Sequence, residues 1–75
     1  MKEVMAYGPD TLLVNFEQQI APTVHAQVMA LEGFLQDHFH QEIDWLIPAY
    51  ASLSVRLKDR QKIPLIKEVI VSWTF

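Results

Sequence analysis

The sequence predicts a small α+β domain, a two-layer sandwich in which a small antiparallel sheet carries one or two helices on one face. Three observations predict it. Val24, Val28, Leu31 and Leu35 recur at spacings of four, three and four, which places them on one side of an α-helix. Leu53, Val55 and Leu57 alternate with Ser54, Arg56 and Lys58, the period of a strand with one dry face and one wet face. The chain has 75 residues, enough for one domain, so these elements must share a single core.

The elements follow in order. Met1–Ala6 is a short strand candidate. Tyr7-Gly8-Pro9-Asp10 is a turn signal, with Gly for permissive backbone angles and Pro to preset one. Thr11-Leu12-Leu13-Val14-Asn15-Phe16 reads as a strand, with Leu12, Val14 and Phe16 on one face. The helix is expected over about Pro22–Asp37. Pro22 suits its first turn, where a missing N–H costs nothing, and the polar run Gln36-Asp37-His38 suggests its end.

Ile43-Asp44-Trp45-Leu46-Ile47 is a strand candidate stopped by Pro48, and Ser52–Lys58 is the clearest strand. Pro48-Ala49-Tyr50-Ala51 links the two as a bent hairpin. In the tail, Ile66, Val69, Ile70 and Trp73 have helical spacing, whereas the β-branched run Val69-Ile70-Val71 favours strand. The spacing predicts a helix from about Pro64. The apolar ending at Phe75 reads as a truncation.

Composition narrows the chemistry. Half the residues are hydrophobic, so the chain is expected to fold. There is no cysteine, which excludes disulfides and thiolate metal sites. The formal charge is −3. Arg56, Lys58, Arg60 and Lys62 read as the wet face of a strand and its turn, without the basic footprint of a nucleic-acid binder. The first residues lack a signal-peptide pattern, and no stretch has the length of a membrane span. No nucleic-acid or membrane partner is expected, and a cytoplasmic location fits.

No catalytic constellation emerges. His38 and His40 flank Phe39, with Asp37 and Glu42 nearby, but a metal needs three or four converging ligands. His25 stands alone on the helix and reads as a surface or boundary residue. The carboxylates are dispersed. Asp44 interrupts an apolar strand and reads as an outward-facing residue by simple alternation. Ser52, Ser54 and Ser72 lack a glycine-flanked elbow, and two glycines make no phosphate loop. No catalytic, cofactor-binding or metal residue is therefore expected. Among the aromatics, Trp45 reads as core, while Tyr50 and Trp73 read equally as core or interface residues.

Two stretches resemble a known family. Gly8-Pro9-Asp10-Thr11-Leu12-Leu13-Val14-Asn15-Phe16 resembles its opening pattern of Gly-Asp-Ser-Ala, aliphatic residues, a polar residue and Phe. Ile47-Pro48-Ala49-Tyr50-Ala51-Ser52-Leu53-Ser54-Val55 resembles its Pro-Ala-Tyr-x-Ser-Leu-x-Val. The family is the KipI-like group of 5-oxoprolinase components, also called allophanate hydrolase subunit 1-like. The resemblance covers roughly Gly8–Asp59. Pro9 stands where the family has Asp, and Asp10 stands where it has Ser.

The resemblance implies that residues 1–75 form a single amino-terminal α+β domain, lacking the cyclophilin-like second domain. It implies a non-catalytic accessory role in a component of 5-oxoprolinase, the complex that opens 5-oxoproline to glutamate with ATP. The implied partner is another subunit of that complex or, as the alternative, a sensor histidine kinase that the protein inhibits. Pro48, Ala49, Tyr50 and Ser52 are the family-motif and interface candidates, and no cofactor is implied. Self-association of the chain through an unpaired sheet edge is a third reading.

Overall fold

A computed structural model describes residues 2–17 and 21–74. The expected strand start at Met1 and the aromatic Phe75 lie outside the described residues. The elements run β1 (Glu3–Ala6), β2 (Thr11–Asn15), α1 (Pro22–Phe39), β3 (Ile43–Pro48), β4 (Ser52–Leu57), a 3₁₀ turn (Arg60–Lys62) and α2 (Ile63–Ser72). The α+β two-layer class is as the sequence predicts.

One four-stranded sheet has the order β1-β2-β4-β3, with every neighbouring pair antiparallel. β2 and β3 both run against β4, so they are parallel to each other. α1 makes the crossover between them, a split β-α-β arrangement. The β1–β2 turn closes through Tyr7 N–H donating to the Thr11 carbonyl at 2.9 Å. Gly8 has φ +93 there, in the left-handed region open to glycine.

The core lies between the sheet and the helices. The inward residues Leu12, Val14, Leu53 and Val55 meet Val28, Leu31 and Leu35 of α1 and Ile66 and Ile70 of α2. All nine are fully buried. Val24, the fourth member of the α1 stripe, joins them, as do Phe16, Ile43 and Leu57. Burial at about 25 cal/mol per Å2 of apolar surface makes this cluster the main favourable contribution to folding.

α2 is helical despite Val69-Ile70-Val71. The β-branched run costs a few tenths of a kcal/mol per residue at most, which the burial of Ile66 and Ile70 outweighs. The 3₁₀ turn that leads into it is capped by Asp59, whose side chain accepts from Gln61 N–H at 2.9 Å. Its exit is closed by Trp73 N–H on the Val69 carbonyl at 3.0 Å.

α1 starts at Pro22 as expected and ends within two residues of the expected boundary, continuing through His38 and Phe39. Phe34 packs against both rings, at 4.6 Å from His38 and 6.3 Å from Phe39, so aromatic contacts extend the helix through a polar run. One expectation needs correction: Trp45 is not core. Ile43 pairs with Leu57 and Trp45 with Arg56, so the register slips between them and Asp44 is the extra residue of a bulge. A bulge reverses the alternation beyond it. Leu46 therefore packs on the core, while Trp45 stands half-buried and Ile47 is 56% exposed.

Candidate functional site

The family-motif residues Pro48, Ala49, Tyr50 and Ser52 form one tight feature, the β3–β4 hairpin. Pro48 ends β3 opposite Leu53 and has no N–H to extend the ladder. Ala49 N–H donates to the Ser52 carbonyl at 2.8 Å and closes the turn. The Ala51 carbonyl accepts from Phe16 N–H at 2.8 Å, tying the hairpin to the end of β2. Ala51 packs partly against the core, which anchors the turn from below.

Tyr50 projects from this anchored turn and is 45% exposed. Its ring lies parallel to His25 near the start of α1, with centroids 5.3 Å apart and an interplanar angle of 9°. His25 Nδ1 is also 3.4 Å from the Tyr50 carbonyl oxygen, a contact that needs the proton on Nδ1 because the carbonyl can only accept. The structure thus decides the open reading of Tyr50 in favour of a surface position. It adds His25, which is distant in sequence and gave no motif.

A phenol and an imidazole sit side by side at the surface. Among the described residues, no three His, Asp or Glu side chains converge on a metal position. Every helix among them is too short or too polar to cross a membrane. Ser72 Oγ donates to the Glu68 carbonyl at 2.9 Å within α2, a backbone-directed bond.

The other motif stretch, Gly8–Phe16, includes a second cluster on the far end of the sheet. Arg56 Nε donates to Asp10 Oδ2 at 3.2 Å and lies 3.7 Å from Asp44 Oδ2. Thr11 Oγ1 donates to Asp10 Oδ1 at 3.3 Å, and Leu57 N–H donates to the Asp10 carbonyl at 2.8 Å. Asp10 therefore clips the β1–β2 turn to β4. The three ionic side chains are each about a third to a half exposed, where such pairs contribute about 0–1 kcal/mol. Asp44 faces outward, as alternation suggested.

A third feature is an apolar groove between the helices, lined by Phe34, Leu65, Val69 and Trp73, with Glu68 and Ser72 at its rim. The Lys2 ammonium reaches the Trp73 carbonyl and lies 5.7 Å from its ring centroid, joining the chain start to the end of α2. Trp73 is half-buried at this junction.

The model of the carboxyltransferase domain, subdomain C and D, matches residues 2–74. This chain belongs to that carboxyltransferase-domain family. It is the family that holds a 5-oxoprolinase component and allophanate hydrolase subunit 1, to which the two motif stretches pointed. No curated protein and no solved structure gives a match. The match spans the described strands and helices, so it extends the likeness past Asp59 into α2, where the motif resemblance stopped.

Proposed function

We propose that this chain is a non-catalytic accessory domain of a 5-oxoprolinase, the complex that couples ATP hydrolysis to opening of 5-oxoproline, and that it docks on a companion subunit through the Tyr50 hairpin. Family membership supports the complex, and the hairpin supports the docking. The observation that carries the reading is Tyr50 itself. A large aromatic ring is held 45% exposed on a turn pinned by two backbone hydrogen bonds and one ring stack. A ring ordered before binding loses little further entropy when a partner covers it, which is why Tyr is favoured as an interface anchor.

The accessory role rests on the chemistry around that ring. Neither the hairpin nor the Asp10–Arg56–Asp44 cluster offers a nucleophile with its base. The domain is then a positioning element, and the reacting groups belong to the complex it joins.

Titration calorimetry of the chain against the companion 5-oxoprolinase subunit tests this. Binding that weakens at least tenfold in a folded Tyr50→Ala variant is the expected result. Equal binding by that variant would remove the hairpin from the interface. Binding to a sensor histidine kinase in place of the subunit would favour the kinase-inhibitor role.

A further inference from the structure

β3 is an edge strand, bonded to β4 alone, and α1 packs beside it. A cleft of about 190 Å3 lies between them. Glu32, Gln36 and His40 line it from the end of α1 and its cap, four residues apart and so on one stripe of the helix. Asp44 and Trp45 line it from β3. The strand side of the cleft is a product of the bulge. Without the extra residue at Asp44, alternation would turn Trp45 into the core. Bulges are over-represented next to active sites, where they re-aim a side chain.

The cleft is short of positive charge. Residues 32–46, which build it, include the carboxylates Glu32, Asp37, Glu42 and Asp44 and no Lys or Arg. Asp44 is met from β4 by Arg56 at 3.7 Å. Glu32 is half-buried and, among the described residues, has no hydrogen bond or ion pair. A carboxylate drawn part-way out of water and left unpaired favours a cation beside it. Glu32, His40 and Asp44 do not converge on a metal position, so the cation is a larger one. Sites for whole small-molecule ligands run to about 300–1,000 Å3, so this smaller cleft suits a single functional group on a short stem.

We propose that the cleft is a guanidinium site. Glu32 accepts from the planar cation, the Gln36 carboxamide oxygen accepts a further N–H, and Trp45 gives the cation an aromatic face to stack on. The contact of Arg56 with Asp44 is the chain's own instance of the same pairing. A compact ammonium matches a flat aromatic wall and spread acceptors less well, so arginine is favoured over lysine. The guanidinium comes from a free small molecule or from an arginine of a partner chain. The cleft shares no residue with the Tyr50 hairpin, so its test is separate from that of the docking reading.

Amide NMR titration of the chain with free arginine, Nα-acetyl-arginine methylamide and Nα-acetyl-lysine methylamide tests the site. Saturable shifts over residues 32–46 and at the Trp45 indole, with a Kd of about 1–10 mM for an arginine probe, are expected. The lysine probe should bind at least about fivefold more weakly. Tighter binding of free arginine assigns a small molecule, and binding of the blocked form at least as tight assigns an arginine within a chain. Glu32→Gln and Trp45→Leu should each weaken the arginine probe at least about fivefold, with folding checked by melting. Asp37→Asn removes the same charge from an exposed place on α1 outside the cleft, and should leave binding within about twofold. No saturable shift up to about 50 mM of either arginine probe would overturn the proposal. So would equal binding of the lysine probe, or an equal loss in Asp37→Asn, since either reduces the cleft to part of a diffuse acidic surface.

Discussion

The ring of His25 lies parallel to that of Tyr50, 5.3 Å away, and so couples the start of α1 to the β3–β4 hairpin. These residues are 25 positions apart. The stack holds in place the side chain on which the docking proposal depends. Its strength can be measured apart from any partner. A double-mutant cycle on His25→Ala and Tyr50→Ala, read by urea unfolding, should give a coupling of about 0.5–1.5 kcal/mol. Each single variant should remain folded, because both rings are at the surface. A loss of about 3–5 kcal/mol for Tyr50→Ala would instead mark the ring as core.

The two glycines should respond in opposite directions. Gly8 has φ +93, a conformation that L side chains rarely adopt. Gly8→Ala should destabilise the chain by about 1 kcal/mol or more. Gly33 lies on the exposed side of α1, with nothing within 4 Å of an added Cβ. Gly33→Ala should stabilise by about 0.5–1 kcal/mol through helix propensity. Thermal melts of both variants check the pair.

Leu35 is fully buried at the junction of α1 with the sheet. Leu35→Ala should cost about 2–5 kcal/mol. A domain of this size has a total stability of about 4–11 kcal/mol, so the variant should melt far below the wild type or be largely unfolded. Circular dichroism at 25 °C decides between those two states, and a wild-type melt would contradict the core assignment.

Arg56→Ala should change stability by less than about 1 kcal/mol, and the difference should shrink in high salt. The backbone bond from Leu57 N–H to the Asp10 carbonyl survives that substitution and still holds the turn. A loss of several kcal/mol, unaffected by salt, would show that the Asp10–Arg56–Asp44 cluster supports the fold more than its exposure implies.

Local periodicity makes most of the fold legible. The stripe Val24, Val28, Leu31 and Leu35 is buried in full, and Leu53, Val55 and Leu57 face the core as alternation indicates. Residues outside those rules escape them for physical reasons. Alternation carried through Asp44 places Trp45 in the core, and a bulge that would reverse it leaves no signature in so short a strand. Polar residues mark the helix end to within two residues of Phe39, and contacts of Phe34 with His38 and Phe39 carry it there. Of the candidate site, Pro48, Ala49, Tyr50 and Ser52 are visible as a contiguous motif. Tyr50 meets His25 only through the packing of α1 beside the hairpin, and Ala51 meets Phe16 only through the pairing of β2 with β4; both join segments distant in sequence and have no local signal.

The most direct test of the accessory-domain account is reconstitution of the companion 5-oxoprolinase subunits with and without this chain, reading 5-oxoproline-dependent release of phosphate from ATP. The account predicts that the rate depends on the chain and falls several-fold when folded Tyr50→Ala replaces the wild type. The same rate with the chain, with the variant and with neither would contradict it.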